Sequence, residues 1–290
     1  MDAFGRHDVA FQGVAAAFAE DAALAFAGPS ARTLPCHRLE EAFDAVETGA
    51  AAYAALPIEN SLAGPVLASY DLVAARALSL VGEVVIRVSH ALIAPRGVRI
   101  EALRRVLSHP VALAQCEEFF RRHPQIEAVA AYNTAGAARD VISANTGDAA
   151  AIASSRAAQV HGGVVLQREL EDHPQNFTRF LRAALPGTPP PEGAWSAARK
   201  TSLIVTLPHR PGTLAAVLAV FADRAIDLSK IESRPLRGRP FEYAFFIDLA
   251  GDADDPALTS AIAEIGARAS TVRLLGSYRS LPGSPARGPD

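Results

Sequence analysis

The sequence predicts an α/β protein made of a larger N-terminal part and a smaller C-terminal module. In the larger part, short apolar runs alternate with amphipathic helical patterns, which is typical of an α/β fold. From about residue 200 the order is β-α-β-β-α-β over roughly 75 residues, a ferredoxin-like arrangement. Between the two lies the proline-rich stretch from Leu185 to Gly193, which can continue neither a helix nor a central strand.

Each element of the larger part follows from a local signal. Gly13 turns the chain out of the first strand, a helix begins near Pro65, Thr134 is a helix cap, and Ser154 begins another helix. The predicted strands are residues 9–11, 51–56, 80–93 with an interruption at the polar pair Ser89-His90, 106–108, 129–130, 149–153 and 164–169. The predicted helices are residues 15–26, 40–46, 111–121, 134–143 and the two that begin at Pro65 and Ser154.

The C-terminal module is predicted in the same way. Pro211-Gly212-Thr213 opens its first helix. The predicted strands are residues 202–207, 226–232, 242–249 and 272–275, and the helices are residues 212–223 and 256–267.

Composition excludes several classes of function. The chain has 290 residues and a net charge of −3, with 50% hydrophobic and 20% charged residues, a profile typical of soluble globular proteins. No basic field points to nucleic acid, and no apolar run reaches the roughly 20 residues needed to span a bilayer. Because the N-terminus is acidic and lacks an apolar core, it does not resemble a signal peptide. We therefore expect a cytoplasmic protein that binds neither nucleic acid nor membranes.

The two cysteines, Cys36 and Cys116, both lie in apolar segments. We interpret them as small buried residues in a reducing compartment. Since there is no CxxC motif and no His/Cys cluster, the sequence predicts no metal site.

Polar residues occur at three predicted junctions between a strand and a helix: Asn60-Ser61, Ser108-His109 and Asn133-Thr134. In open α/β sheets, ligands bind beyond the carboxyl ends of the strands, where helix N-termini direct N–H groups at anions. The alternative is that these residues are ordinary helix caps. The pattern leaves both interpretations open.

The segment from Asn176 to Phe180 carries a hydroxyl, Thr178, between two aromatic residues and beside Arg179. A strand that served only for packing would not need Asn, Thr and Arg here. In a dry pocket, a threonine hydroxyl is a useful hydrogen-bond donor, so the segment indicates a site that handles a leaving oxygen. The alternative is a threonine that packs in a sheet.

Taken in order, these motifs resemble the prephenate dehydratases and also the plastid arogenate dehydratases, and the C-terminal module resembles an ACT domain. The resemblance covers about residues 8–279. The dehydratase motifs are Val9 to Gly13, Leu56 to Ser61, Leu107 to Pro110 with Leu113 to Cys116, Asn133 to Ala135, and Asn176 to Phe180. The ACT motifs are Gly212 to Ala215 and Glu232 to Pro235.

The resemblance implies a fold of two α/β lobes around a cleft, like type II periplasmic binding proteins. We accordingly expect a catalytic domain at 8–184, a linker at 185–199, an ACT domain at 200–279 and a disordered tail at 280–290. Some relatives carry an additional chorismate mutase region before the dehydratase. Because the first motif begins at Val9, we expect a monofunctional enzyme.

The activity implied is the decarboxylating dehydration of prephenate to phenylpyruvate, without a metal or other cofactor. Thr178 would be the donor to the leaving hydroxyl, with Asn60, Ser61 and Gln115 as neutral donors to the substrate. Arg179 could bind the substrate as a cation, but in a regular strand it points away from Thr178, so bracing of the motif is the alternative. His109 and Glu59 are more easily explained as structural residues. The further residues predicted to contact substrate are Ser108, His109, Thr134, Arg179 and Phe180.

For the ACT module, the resemblance implies feedback inhibition by phenylalanine, bound between the modules of a homodimer or homotetramer. The predicted contacts are Gly212, Thr213, Leu214, Glu232, Ser233, Arg234 and Pro235. The alternative is a plain dimerisation module without a ligand.

Three positions depart from the family pattern. Ala16 replaces a glycine and Ala19 a serine in the first motif, and Val111 replaces a glutamine after His109-Pro110. An alanine resists positive φ and close approach of the backbone, so the departures predict an altered geometry of the first loop and a slower enzyme. The departures also favour an alternative in which the scaffold is a non-catalytic sensor. The sequence does not distinguish prephenate from arogenate as the main substrate.

Overall fold

The computed structural model describes residues 7–189, 195–236, 238–239 and 242–281, which pack as two compact units. The first unit comprises residues up to 66 and residues 85–180, and the second comprises residues 67–84 and those from 181 onward. The predicted linker lies within the described residues except for 190–194. Of the predicted tail, only Ser280 and Leu281 are described.

The helices and strands alternate along most of the chain. Up to residue 94 they are β1 (His7–Gln12), α1 (Phe18–Ala27), β2 (Thr33–Cys36), α2 (Leu39–Glu47), β3 (Ala51–Asn60), β4 (Gly64–Pro65), α3 (Leu67–Ala75), β5 (Ser79–Arg87) and β6 (Ala91–Ala94). Next come β7 (Arg105–Ser108), α4 (Pro110–Ala114), α5 (Glu117–Arg122), β8 (Glu127–Ala130), α6 (Thr134–Ala144), β9 (Ala149–Ala153), α7 (Ser155–His161), β10 (Val164–Gln167) and β11 (Phe177–Ala184). The last are β12 (Arg199–Thr206), α8 (Thr213–Ala222), β13 (Leu228–Pro235), β14 (Tyr243–Ala250), α9 (Pro256–Arg268) and β15 (Thr271–Arg279).

The first sheet has the strand order β2-β1-β3-β11-β5, with β4 paired to β3. Its β1 strand pairs in parallel with both β2 and β3. A parallel strand covered on both faces needs an apolar run and not an alternating one, which explains the fully buried Val9, Ala10 and Phe11. The edge strand β2 was not predicted; it contains Pro35, which an edge tolerates.

The second sheet has the order β10-β6-β9-β7-β8. Its two faces carry separate apolar clusters: Ala91, Ile93 and residues of α6 and α7 lie in one, and Leu92, Ile152 and residues of α4 and α5 in the other. The chain enters this sheet after β5 and leaves it after β10, returning to the first sheet as β11. This arrangement confirms the predicted two-lobed α/β fold.

The predicted helix over residues 111–121 is wrong in one respect, because the structure has two helices there. The first ends at Ala114 and the second begins at Glu117. The carboxylate of Asp172 accepts hydrogen bonds from the backbone N–H groups of Glu117 (2.8 Å) and Glu118 (3.2 Å). An outside carboxylate can satisfy the orphan N–H groups of a new helix start, and this partner is distant in sequence.

The second unit contains the predicted β-α-β-β-α-β module, with the antiparallel sheet order β13-β14-β12-β15. Helices α8 and α9 cover one face through a core that includes Leu203, Phe221 and Ile247. Side chains alternate across a strand, so Phe246 faces the other way. There it contacts Tyr70 of α3, with ring centroids 4.9 Å apart.

Helix α3 is fixed to this sheet by charge as well. The Arg234 guanidinium donates two hydrogen bonds to the carboxylate of Asp71, each 3.0 Å long. Arg273 donates to the carbonyls of Val73 and Ala74 near the end of α3. In the described part of the chain, no helix is long and apolar enough to cross a membrane.

Candidate active site

A cavity of about 290 Å³ opens in the first unit. It is lined from both sheets, by residues at strand ends and helix starts. The lining residues are Phe18, Asn60, Ala63, Val66, Val88, His90, His109, Val111, Ala112, Gln115, Asn133, Thr134 and Thr178. The three predicted junctions therefore each contribute at least one residue to a single cavity, together with the Thr178 segment.

Asn60, the last residue of β3, has an amide orientation that its backbone partners determine. Its Oδ1 accepts hydrogen bonds from the N–H groups of Leu62 (3.0 Å) and Ala63 (2.8 Å). Since a backbone N–H can only donate, the amide nitrogen must point the other way. There it lies 3.0 Å from Thr178 Oγ1, 2.7 Å from Asn176 Oδ1 and 3.1 Å from the Phe177 carbonyl.

This orientation decides what the Thr178 hydroxyl can do. Because its oxygen accepts from Asn60, its own proton is free to be donated elsewhere. An accepted hydrogen bond also polarises a hydroxyl and makes it a stronger donor. Thr178 lines the cavity, so the arrangement supplies a donor to an oxygen bound there.

Gln115, which also lines the cavity, continues the same chain of hydrogen bonds. Asn176 accepts from Asn60 through Oδ1, so its Nδ2 is the group that donates to Gln115 Oε1, at 2.9 Å. The Nε2 atom of His90 lies 3.0 Å from the same oxygen. An oxygen that already accepts from Asn176 requires a donor at His90, which assigns the proton to Nε2.

Helix starts supply the positive potential of the cavity. Helix α1 begins at Phe18 and α6 at Thr134, both of which line it. Helix N-termini favour anions such as carboxylates. Among the described lining residues there is no lysine or arginine, so this potential comes from backbone N–H groups and amides.

The junction residues serve as helix caps as well as lining residues. Asn133 Oδ1 accepts from the Gly136 N–H at 2.6 Å and caps α6, a role that had been predicted for Thr134. His109 Nδ1 accepts from the Val111 N–H at 3.3 Å and caps α4. The two interpretations of these junctions are therefore compatible.

Two of the predicted serines, Ser61 and Ser108, are not among the residues that line this cavity. The Ser108 side chain is buried and donates to the Ile152 carbonyl at 2.6 Å. Ser61 Oγ donates to the Gln175 carbonyl and accepts from the Phe177 N–H, each at 2.9 Å. Both hydroxyls are therefore occupied by hydrogen bonds to the backbone, and the partners of Ser61 lie close to Thr178 in the sequence.

Arg179 and Phe180 are also absent from the described lining residues. Arg179 is buried, with 8% of its surface exposed, and forms an ion pair with Glu59 at 3.8 Å. Strand alternation directs it away from Thr178, and in this position it braces Glu59. Phe180 lies on the same face of the strand as Thr178 but is only 2% exposed, so it is part of the buried core.

His90 is a lining residue that the sequence analysis did not select. It is 2% exposed, and its backbone N–H donates to Glu171 Oε2 at 2.7 Å. The signal was present, because Ser89-His90 interrupts an otherwise apolar run. Asn176, whose amide joins Asn60 to Gln115, was likewise not selected.

Ala16 adopts the conformation that the family pattern reserves for glycine, with φ at +68°. It is fully buried in the cluster formed by α6 and α7. Its N–H donates to Glu20 Oε2 at 2.7 Å, and its carbonyl accepts from Ser154 Oγ at 2.9 Å. Alanine therefore adopts positive φ here in spite of its conformational cost, and these hydrogen bonds hold it there.

The substitution Ala16→Gly is expected to change the free energy of unfolding by less than about 1 kcal/mol. Relief of the left-handed conformation contributes about 1–2 kcal/mol. Loss of a buried methyl group costs about 0.8 kcal/mol, and the greater freedom of the unfolded chain costs about 0.4–1 kcal/mol. Urea unfolding followed by circular dichroism measures this difference.

The contrasting variant is Ala16→Val. A β-branched side chain at positive φ in a packed cluster should cost at least about 2 kcal/mol. Equal stability of the two variants would contradict the account of Ala16.

The other two departures from the family pattern lie elsewhere. Val111 lines the cavity and is 42% exposed, and Ala19 lies in the first turn of α1.

A second cavity, of about 330 Å³, lies in the second unit at the start of α8. Gly212, with φ at +84°, precedes the helix, and Gly212, Thr213 and Leu214 all line the cavity. The described residues from Glu232 to Pro235 lie on β13 and are not among its lining residues. Among the residues that the structure describes, the two predicted regulatory motifs therefore do not both line this cavity.

Comparison with known proteins agrees with this architecture. Residues 9–185 match the prephenate dehydratase family, and residues 201–267 match the ACT domain family. The chain belongs to the prephenate dehydratase family. The resemblance inferred from the motifs is thereby confirmed, including the C-terminal ACT domain.

Individual relatives span nearly all of the chain. It is 42% identical over 283 residues to arogenate dehydratase/prephenate dehydratase 2 of Arabidopsis thaliana, a chloroplastic protein, covering 93% of this chain and 72% of that protein. The crystal structure of prephenate dehydratase from Arthrobacter aurescens in complex with L-Phe has a TM-score of 0.86 at 33% identity, covering 97% and 92% of the two chains. The structure of GqqA, described as a novel type of quorum quenching acylase, has a TM-score of 0.85 at 33% identity, covering 94% and 98%.

Proposed function

We propose that the cavity converts prephenate to phenylpyruvate, carbon dioxide and water, as a step of phenylalanine biosynthesis. The observation that carries the proposal is the hydrogen bond from Asn60 to Thr178 Oγ1. It leaves the threonine proton available to an oxygen in a cavity without a described lysine or arginine in its lining. This is the group that a departing hydroxyl requires.

The reaction is an elimination driven by aromatisation. The bond between the ring and its carboxylate breaks, carbon dioxide leaves, and the electron pair moves into the ring as the distant C–O bond breaks. The departing oxygen gains negative charge and takes up a proton, so the dianion plus one proton gives phenylpyruvate, carbon dioxide and water. Only interactions that strengthen as this charge develops raise the rate, and the Thr178 hydroxyl makes such an interaction.

Binding of the dianion is assigned to neutral groups. The start of α6 at Thr134 and the start of α1 at Phe18 offer N–H groups to carboxylates. Gln115 offers its amide nitrogen, because its oxygen already accepts from Asn176. Apolar lining residues such as Val88 and Ala112 exclude water, which strengthens each polar contact.

The test is a turnover assay on the purified chain with three substrates, each with and without phenylalanine. They are prephenate, arogenate and an N-acylated amide, the last because GqqA is described as an acylase. Phenylpyruvate formed from prephenate is the expected product. The name of the Arabidopsis relative favours arogenate as the second candidate. Faster turnover of arogenate than of prephenate would mean that arogenate is the main substrate. Hydrolysis of the amide alone would mean that the protein is an acylase and not a dehydratase. No turnover of any substrate would favour the sensor alternative.

We further propose that phenylalanine controls the enzyme through the ACT domain, in a homodimer or homotetramer. In the Arthrobacter relative the described ligand is L-Phe. The cavity at Gly212 and the start of α8, a helix of ten residues, suits the carboxylate of an amino acid. The segment from Glu232 to Pro235 would then complete the site from the second protomer.

Chain connectivity offers a route for this control. Val66 lines the active-site cavity, and α3 begins at the next residue. Helix α3 in turn is held to the ACT sheet through Asp71 and Arg234, a residue of the regulatory motif. A ligand that binds Arg234 would weaken its hydrogen bonds to Asp71 of α3. A coupling free energy of about 1–3 kcal/mol between the regulatory site and the active site is sufficient for feedback control.

The substitution Gly212→Val tests the regulatory site. A β-branched residue at φ +84° is strained, and the first turn of α8 must shift to relieve it. Phenylalanine affinity measured by calorimetry should fall at least about tenfold, with turnover of prephenate in the absence of phenylalanine unchanged. Unaltered phenylalanine affinity would place the regulatory site elsewhere.

We propose the domain division 8–184, 185–199 and 200–279 for the catalytic domain, the linker and the ACT domain, and a cytoplasmic location. Both cysteines are free and buried. Burial, with the nearby Glu41 carboxylate, raises the pKa of the Cys36 thiol to about 11, and burial raises the pKa of Cys116 as well. Protonated buried thiols are inert and are compatible with a reducing compartment.

A further inference from the structure

We infer that His90 is a positioning residue for the reaction, holding the Gln115 amide with its N–H₂ group directed into the cavity. The inference rests on the proposed dehydratase function. His90 and Gln115 both line the cavity, and His90 Nε2 lies 3.0 Å from Gln115 Oε1. His90 thus acts at one remove from the substrate, through a residue that faces it.

The His90 ring is held in place from several directions. Only 2% of the residue is exposed, and its backbone N–H is bound by Glu171 Oε2 at 2.7 Å. The ring packs edge-on against Phe18, with centroids 5.8 Å apart and an interplanar angle of 77°. A buried ring with a bonded backbone presents its Nε2 in one direction, which is what a positioning role requires.

The direction of the Gln115 amide follows from the donors around its oxygen. Asn176 Nδ2 and His90 Nε2 both approach Oε1, at 2.9 Å and 3.0 Å. A flipped amide would set its own N–H₂ group against these two donors, leaving buried groups unpaired. It would also present a carbonyl oxygen to a dianionic substrate. With His90 removed, only one donor opposes the flip.

The charge state of His90 agrees with this role. Burial lowers its pKa, against the opposing effects of the Gln115 hydrogen bond and the Glu171 carboxylate. A neutral ring protonated on Nε2 leaves Nδ1 unprotonated. That nitrogen is buried and has no hydrogen-bond partner among the described residues, as expected when the proton is committed to the Gln115 side.

The experiment compares His90→Leu with His90→Gln in the prephenate assay. A glutamine can place its amide N–H₂ near the position of Nε2, so it should keep turnover within about threefold of the wild type, whereas leucine should lower kcat/KM about tenfold. The matched control is His161→Leu. His161 also has a buried ring nitrogen without a partner among the described residues, but it does not line the cavity, so its replacement should not alter turnover.

A double-mutant cycle separates positioning from a loss of folding. In a Gln115→Leu background, where there is no amide to orient, His90→Leu should lower kcat/KM by less than about twofold. Equal losses in both backgrounds would overturn the inference, as would a glutamine variant that is as impaired as the leucine variant.

A readout that does not depend on turnover distinguishes this inference from the proposed function. Nitrogen NMR of histidine-labelled wild-type protein should show His90, identified by its loss in His90→Gln, as the neutral Nε2–H tautomer, with a resonance that moves in Gln115→Leu. Failure of all turnover with this tautomer intact would count against the dehydratase function alone. A tautomer protonated on Nδ1 would overturn the role of His90.

Discussion

Thr178→Ala is expected to lower kcat for prephenate about 100- to 1000-fold, the usual effect of removing one donor to a developing oxyanion. The Thr178 hydroxyl accepts from Asn60 at 3.0 Å and so directs its own proton into the cavity. The bond that it makes with the substrate hydroxyl is weak while that oxygen is neutral and strengthens as the C–O bond breaks. KM should therefore change far less than kcat.

Two companion variants isolate the hydroxyl from the shape of the side chain. Thr178→Val retains the volume and the β-branch and should be as slow as the alanine variant, while Thr178→Ser should keep most of the activity. Asn60 Nδ2 still has Asn176 Oδ1 and the Phe177 carbonyl as partners, so neither loss should be accompanied by unfolding. Undiminished turnover in Thr178→Val would exclude the proposed role of Thr178.

The fold could be predicted well because each strand and helix carries its signal locally. Apolar runs such as Val9-Ala10-Phe11 mark buried parallel strands, and Gly212 marks the start of α8. The interruption at Gln115 could not be predicted, because its cause is the Asp172 carboxylate, which caps α5 from a distant part of the sequence. Ala16 shows the same limit, since long-range hydrogen bonds such as that from Ser154 stabilise its positive φ.

For the candidate site, the sequence identifies the segments more reliably than the individual side chains. Strand periodicity shows which residues share a face of the strand, so it separates Arg179 from Thr178. It does not show how deeply each side chain is buried. Phe180 lies on the same face of the strand as Thr178 and is nevertheless buried in the core. His90 and Asn176 belong to the site through side-chain hydrogen bonds, His90 to Gln115 and Asn176 to both Gln115 and Asn60. Such a network becomes visible only in three dimensions.

Asn60→Asp is expected to abolish turnover at neutral pH, with a loss at least as large as the roughly 1000-fold upper figure for a single donor. The change replaces one nitrogen by oxygen without altering the shape. The oxygen that accepts from Leu62 and Ala63 is retained. In place of the donor, a carboxylate oxygen would now face Asn176 Oδ1, the Phe177 carbonyl and Thr178 Oγ1.

The loss has two causes that act together. A carboxylate can only accept, so Thr178 would donate its proton to it and could no longer donate to the substrate. The new negative charge also repels a dianion in a cavity where the dielectric is low. The effect should therefore appear in both kcat and KM, unlike that of Thr178→Val.

The pH dependence of Asn60→Asp provides the decisive measurement. Repulsion from the neighbouring carbonyl oxygens and desolvation raise the pKa of the introduced carboxyl, whereas the N–H groups of Leu62 and Ala63 and the Thr178 hydroxyl lower it. We expect the first two effects to prevail and to place this pKa above the usual value of about 3.9. Below that raised pKa the protonated carboxyl is again a donor, so activity should recover as the pH falls, while the wild type shows no such gain. Asn145→Asp, the same exchange at an exposed αL position at the end of α6, is the matched control and should retain the wild-type profile. An Asn60→Asp enzyme with a wild-type rate at pH 8 would mean that the Asn60 amide does not orient Thr178.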